Sequence, residues 1–289
     1  LSFKSFDAQK MDGMKTMRKA KIGCLAALLL LLWTTGAWAD AFNMPESQFL
    51  GRFGVHYFTS TQFRDDDGKL QTYFNDMYYR DVAGFGELAV GVTETIELDV
   101  NLIMGWQHLT GDDGLDETNW ALRDINLGVQ WMALGGNRAA LSLAGGMKLP
   151  FFYDKGKDLP AGDGQIDFDG RLLAAVRFSL FTAGIDGGYR LRLDDPANVW
   201  IYGAEVNFAY SIVFGGARLN GETAAGEADD EAEWNFFYQG PEYDRLTGNL
   251  NLGVFFAQHW ALEFQTLVPI SGRNVASGPT YRLALLYRY

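Results

Sequence analysis

The sequence predicts an all-β protein, a closed antiparallel transmembrane β-barrel of about twelve strands with short periplasmic turns and long extracellular loops. Three observations carry that expectation. Apolar and polar residues alternate with period two in one segment after another, the connections between these segments alternate long and short, and the chain stops on an amphipathic strand whose last residue is Tyr289. Successive side chains of a strand point to opposite faces. In a transmembrane barrel the apolar set meets lipid and the polar set lines the interior.

The alternation is plainest from Thr95 to Met104, where Ile96, Leu98, Val100, Leu102 and Met104 oppose Glu97, Asp99 and Asn101. Asp124 to Trp131 repeats it, with Ile125, Leu127, Val129 and Trp131 against Asp124, Asn126 and Gln130. Leu250, Leu252, Val254 and Phe256 then oppose Asn249 and Asn251, and Trp260, Leu262, Phe264 and Val268 oppose Glu263 and Gln265. Strands are expected at approximately 49–60, 78–92, 95–109, 120–133, 138–150, 165–180, 183–193, 199–210, 212–221, 245–256, 259–270 and 279–289. The connections 61–77, 110–119, 151–164, 222–244 and 271–278 are long and 194–198 is intermediate, whereas those at 93–94, 134–137, Phe181, Ser211 and Gln258 are short. An even strand count puts both ends of the barrel on the periplasmic side. Strands of roughly 10 to 12 residues tilted by about 40° span a hydrocarbon band of about 25 Å.

A soluble β-sandwich would alternate too, with its apolar face turned inward. Loop-length alternation, the absence of cysteine after residue 39, and a polar face rich in Glu, Asp, Arg and Asn but poor in Lys favour lipid on the apolar side. Trp106, Trp120, Trp131, Trp200, Trp234 and Trp260 fall mostly near strand ends, where aromatic girdles mark membrane interfaces.

The first 39 residues read as upstream sequence plus a cleaved secretory signal peptide. Lys15, Arg18, Lys19 and Lys21 precede an apolar run from Ile22 to Leu32, and Ala37-Trp38-Ala39 is a small-x-small cleavage site. The run falls short of the roughly 20 residues of a spanning helix. Cys24 opens the apolar run, whereas a lipidated cysteine would follow it. Residues 40–289 form one domain by this reading. Removing the leader's six basic and two acidic residues takes the formal charge from 24 − 36 = −12 to 18 − 34 = −16. So acidic a chain is unsuited to nucleic acid, which needs a basic face.

Function is expected on the inward face, which includes Glu87, Glu97, Asp99, Asp124, Lys148, Asp167, Asp169, Arg171, Arg177, Asp186, Arg190, Glu205, Glu263, Arg282 and Arg288. Asp99, Asp124, Arg171, Arg177, Glu205 and Glu263 fall within clear strands and are the candidates for lining the lumen and meeting a solute. Facing acids and arginines can either fill a narrow barrel with ion pairs or line a path. No catalytic residue is assigned. The only histidines, His56, His108 and His259, lie in a strand, at a loop end and at a tight turn, and a hydrolase would need one of them beside a hydroxyl and an acid. The acidic stretches Asp65-Asp66-Asp67-Gly68, Asp112-Asp113-Gly114 and Glu222, Glu227, Asp229, Asp230, Glu231 and Glu233 lack EF-hand spacing and read as solvated loop charge, so no metal or other cofactor is expected. No glycine cluster has the strand-to-helix context of a phosphate loop.

Five segments, in order, resemble a family of outer-membrane proteins named after the MetA-pathway of phenol degradation. They are Val90-Gly91-Val92-Thr93-Glu94-Thr95-Ile96-Glu97-Leu98, Arg123-Asp124-Ile125-Asn126-Leu127-Gly128-Val129-Gln130-Trp131, Met147-Lys148-Leu149-Pro150, Gly162-Asp163-Gly164-Gln165-Ile166-Asp167 and Val268-Pro269-Ile270-Ser271-Gly272-Arg273-Asn274. The chain departs from the family pattern at Phe151-Phe152, where Thr-Gly is usual, and at Arg123, where Gly is usual. Tyr281 to Tyr289 also resembles the C-terminal signal read by the barrel-assembly machinery. The resemblance implies an outer-membrane transporter or channel for passive passage of small, hydrophobic or aromatic solutes, with membrane lipid, lipopolysaccharide and the assembly machinery as partners. The alternatives are a structural or adhesive barrel with a plugged lumen and, as a minor one, a barrel hydrolase.

Overall fold

The computed structural model describes residues 41–73, 77–111, 114–151, 153, 159–193, 197–228 and 239–289. Their strands are β1 (Phe49–Ser60), β2 (Gln62–Arg64), β3 (Leu70–Thr72), β4 (Tyr78–Gly91), β5 (Ile96–Thr110), β6 (Asp116–Leu122), β7 (Ile125–Gly135), β8 (Ala139–Leu149), β9 (Asp167–Phe178), β10 (Phe181–Arg192), β11 (Val199–Tyr210), β12 (Val213–Ala224), β13 (Gln239–Phe255), β14 (Trp260–Ala276) and β15 (Thr280–Arg288). Each main strand pairs antiparallel with the next, and β15 returns to β1 through nine residue pairs from Leu50↔Arg288 to Phe58↔Thr280. The sheet is therefore a closed barrel. It has twelve staves, because β6 and β7 share one position beside β5 and the small β2–β3 hairpin extends the outer end of β14.

Closure follows from the solvent. Within a bilayer an unpaired strand edge has no water to satisfy it, so only a closed sheet is tolerated. The period-two pattern then decides which face looks outward. Val55, Leu98, Leu172, Ile185, Leu252, Phe264 and Leu283 all project from the outer wall, Ile185 with 64% and Leu252 with 57% of their surface uncovered by the chain. Their neighbours Arg52, His56, Glu87, Glu97, Asp186, Glu205 and Glu263 are buried inside. This distribution is the inverse of a soluble domain.

The short turns at 179–180 and 211–212 reverse the chain with Ser179 at φ 54° and Ser211 at φ 55°, left-handed values that a tight turn requires and that serine adopts at modest cost. Aromatic rings gather at this periplasmic rim: Phe178 stacks on Phe181 at 5.8 Å, and Trp260 meets Tyr287 at 4.6 Å. Trp131 and Trp260 lie at the periplasmic rim, whereas Trp106, Trp120 and Trp200 stand toward the extracellular ends of their strands. Trp234 lies outside the described residues.

Three features depart from the pattern-based expectation. The strands flanking the long loops run past the predicted ends, so that β12 continues to Ala224 and β13 and β14 reach 17 residues each. The fourth stave is interrupted at Arg123 and Asp124, where the backbone bulges while the Arg123 N–H still reaches the Ile103 carbonyl at 2.8 Å. The segment preceding β1 also turns into the periplasmic end of the barrel. There Ser142 Oγ donates to the Ala41 carbonyl (2.5 Å), Gln130 Nε2 to Asn43 Oδ1 (2.9 Å), and the Met44 N–H to Glu97 Oε2 (2.6 Å). Ala41 packs completely buried against Ala140, Leu173 and Ala175.

This topology makes an orientation prediction. An epitope tag inserted between Gly226 and Glu227, in the long β12–β13 connection, is expected to bind antibody on intact cells. The same tag between Gly136 and Asn137 is expected to stay hidden until the outer membrane is opened. The reverse result would invert the barrel.

Candidate functional site: a lumen of paired charges between cavities

Alternation aims the charged side chains of twelve staves at one axis, and the offset of neighbouring strands decides which of them meet. On β9 to β13 they form one alternating chain. Glu205 joins Arg218 (3.3 Å), Arg218 joins Asp186 (2.5 Å), Asp186 joins Arg171 (3.7 Å), and Arg171 joins Asp169 (3.2 Å). Asp169 then takes Arg190 (2.7 Å), Arg190 takes Glu222 (3.3 Å), and Glu222 takes Arg245 (2.5 Å). Across the barrel Arg52 bridges Glu87 (2.8 Å) and Glu263 (3.1 Å), with Arg282 3.9 Å from Glu87 and Asn251 Nδ2 donating to Glu263 (2.8 Å). Guanidinium and carboxylate in such forks form charge-assisted hydrogen bonds, which offset the desolvation of both ions.

Cavities lie on both sides of this belt. A periplasmic cavity of about 520 Å³ is lined by Phe42, Glu97, Arg177, Phe214, Phe255 and Arg288 among others. Toward the cell exterior are one of about 470 Å³, lined by His56, Asp81, Arg123, Asp124, Lys148 and Arg282 among others, and an adjoining one of about 340 Å³ beside Asp99, Lys148 and Arg171. Glu87, Asp186, Glu205, Arg218 and Glu263 line none of the three and fill the space between.

The extracellular cavity is roofed by the connection between β8 and β9. Its Asp163 receives Lys148 (2.6 Å) and Arg192 (3.1 Å), and Asn119 Nδ2 donates to the Leu159 carbonyl (2.9 Å). Leu159 packs with Phe58, Tyr79, Leu109 and Ala276. The Tyr153 hydroxyl donates to Asp124 and accepts the Gly164 N–H at 2.8 Å. Burial, reinforced by the Asp124 carboxylate, pushes that hydroxyl well above its ordinary range, so it remains a donor.

The six expected lumen residues thus divide. Asp99 faces inward beside a cavity and one of its oxygens is buried without a hydrogen-bond partner. Arg171 borders both outer cavities while tied to Asp169 and Asp186. Arg177 stands apart in the periplasmic cavity, its guanidinium 4.1 Å from the Phe42 ring centroid. Glu205 and Glu263 face inward but belong to the belt, and Glu263 is only 1% exposed. Asp124 corrects the expectation of a residue within a strand: it occupies the break between β6 and β7, where the bulge turns it toward Tyr153.

Glu222 corrects the reading of a solvated acidic loop, because β12 extends to include it and Arg190 and Arg245 hold it inside the barrel. Its signal was the spacing Arg218, Asn220, Glu222, which continues the inward face of β12. Arg52 and Asp81 were missed although they sit in step with His56 and Glu87. Asp65 spends its carboxylate on its own loop: the Gln71 amide, with the Lys69 and Asp67 N–H groups, holds it below the usual carboxylate range. Asp112, Asp113, Asp229, Asp230, Glu231 and Glu233 lie outside the described residues.

The histidines bond to Asp81 (3.1 Å, His56), Asp116 (2.7 Å, His108) and the Arg288 carbonyl (2.7 Å, His259), and none of these partners is a hydroxyl.

Among solved structures, the chain is similar to an outer membrane channel from Pseudomonas putida F1, with a TM-score of 0.67 at 14% identity over 89% of this chain and 100% of that one. It is also similar to the translocator domain of the autotransporter NalP from Neisseria meningitidis (TM-score 0.52, 14% identity, 96% and 98% covered) and to the NanC porin (0.51, 9%, 82% and 98%). The fold is accordingly that of the outer-membrane β-barrels. No family model and no curated protein matches the chain, so the resemblance to the MetA-pathway family rests on the quoted segments.

Proposed function

We propose that the protein is an outer-membrane channel that passes small, hydrophobic or aromatic solutes down their gradient. The carrying observation is a lumen with cavities at both ends whose walls mix charged groups with apolar surface, the periplasmic one built partly on Phe214, Phe255 and Leu286. The resemblance to the MetA-pathway family supports the solute class. Movement is passive by this reading, since an outer membrane offers no nucleotide to drive it.

The test is uptake into liposomes. Vesicles carrying the protein are expected to admit phenol-sized aromatic solutes and to conduct ions in planar bilayers. Asp99→Asn is expected to lower the preference for cations while heat-modifiable gel migration stays unchanged, because this carboxylate borders a cavity and holds no ion pair among the described residues. The belt of Arg52, Glu87, Glu263, Asp186, Arg218 and Glu205 favours a second reading, a plugged barrel with a structural or adhesive role. Vesicles no more permeable or conductive than protein-free ones would establish that reading instead.

A further inference from the structure

We infer that the periplasmic cavity is a binding site for a monocarboxylate with a compact apolar body, its carboxylate held by Arg177, with Arg288 adding positive potential from the opposite wall. The inference rests on the channel reading and names the solute class at one end of the path.

Among the described lumen side chains, Arg123 is matched by Asp81, and Arg52 and Arg282 by Glu87 and Glu263. Lys148 and Arg192 are matched by Asp163 and Asp167. Arg171, Arg190, Arg218 and Arg245 are matched by Asp169, Asp186, Glu205 and Glu222. Among the described residues two inward guanidiniums, Arg177 and Arg288, have no carboxylate partner, and both line the same cavity, from opposite walls. Arg177 Nε is buried with no hydrogen-bond partner, and its guanidinium lies over Phe42. Arg288 has one neutral partner, Gln48 Oε1 at 3.1 Å. Among the described residues every other inward guanidinium is neutralised, which leaves the Arg177 fork, with its buried unpartnered Nε, as a donor open to an anion in this chamber. Guanidinium matches carboxylate geometry with two parallel hydrogen bonds.

The rest of the wall specifies the remainder of the ligand. Phe214 and Phe255, with ring centroids 5.1 Å apart, and Leu286 provide an apolar surface continuous with the Phe85, Ala209, Ala261 and Ala284 cluster. At about 520 Å³ the chamber has the size of a small-molecule site, which runs from about 300 to 1,000 Å³. Its acids are placed differently from its arginines. Glu97 is occupied by the Met44 N–H (2.6 Å), while Glu46 and Glu94 stand exposed at the rim. A ligand carboxylate left over after Arg177 is paired meets the negative field of Glu46 and Glu94, which disfavours a second charge on the same molecule.

Calorimetric titration of the full, detergent-solubilised protein tests this with benzoate, benzyl alcohol and phthalate. Benzoate is expected to bind, with benzyl alcohol and phthalate at least tenfold weaker. Arg177→Gln is expected to weaken benzoate binding about tenfold, Arg288→Gln to weaken it less, and the double variant to abolish it, at unchanged heat-modifiable migration. Equal binding of benzoate and benzyl alcohol overturns the inference using wild-type protein alone, as does full benzoate binding by the double variant; phthalate binding as tightly as benzoate overturns its restriction to a single charge. Ionic conductance without benzoate binding leaves the channel standing and removes this site. Benzoate binding without conductance or uptake removes the channel and leaves the site.

Discussion

Leu252→Arg is expected to cost about 2 to 4 kcal/mol of folding stability in vesicles and to impair membrane insertion, the range for a basic residue near the bilayer midplane on a lipid-facing wall. Leu252 lies on β13 between the outward Leu250 and Val254 and opposite Phe264 of β14, so an arginine there has no polar neighbour on its own face. The side chain must therefore snorkel or carry water into the hydrocarbon. Val100→Arg, which faces Leu88 and Leu127 on the neighbouring strands, is expected to behave alike. Urea-dependent refolding into lipid vesicles measures the loss. Wild-type stability in both variants would mean that the outer wall meets water, and the membrane assignment would fall.

Deleting Leu285 to Tyr289 is expected to abolish closure. These residues supply the pairs Phe53↔Leu285, Arg52↔Leu286, Gly51↔Tyr287 and Leu50↔Arg288, and the reciprocal backbone bonds of Phe49 with Tyr289 (3.1 and 3.0 Å). They also pair with Trp260, Ala261 and Leu262 of β14. Without them two strand edges are left unpaired toward the periplasmic end, and hydrocarbon offers such edges no water in exchange. Heat-modifiable gel migration, the mark of a closed barrel, is expected to vanish from the outer-membrane fraction. Its persistence would show that β15 is dispensable and that the closing seam lies elsewhere.

The wall of this barrel was legible in the sequence and its interior was only partly so. Ile96, Leu98, Val100 against Glu97, Asp99 states a face without reference to any other strand, and the short turns at Ser179 and Ser211 announce themselves by length. Ion pairing does not work that way. Glu222 joins Arg190 two strands away because of the stagger between β10, β11 and β12, a quantity that alternation leaves undetermined. The bulge at Arg123 and Asp124 sets four residues against three of β5 and moves the outward phase from Trp120 to Leu127 and Val129, a one-residue step that the alternation within each half does not disclose. Ala41 to Met44 carry no strand pattern, and only the inward Ser142, Gln130 and Glu97 show where their backbone goes. Arg177 is recognisable as an inward residue from alternation, but its lack of a carboxylate among the described residues depends on which acids the other inward arginines engage, and that is set by the stagger.

The fork of Arg52 bears on how the barrel acquires its register. Arg52 belongs to the first strand and Glu263 to the penultimate stave, with β15 between them, so this contact exists only when the first and last strands have met in the native alignment. A slip of one residue would turn Arg52 toward lipid and leave Glu263 buried beside no cation. The pair therefore ties register to stability: a barrel closed one residue out of step carries an uncompensated charge on its wall and another in its interior, and the native alignment alone satisfies both.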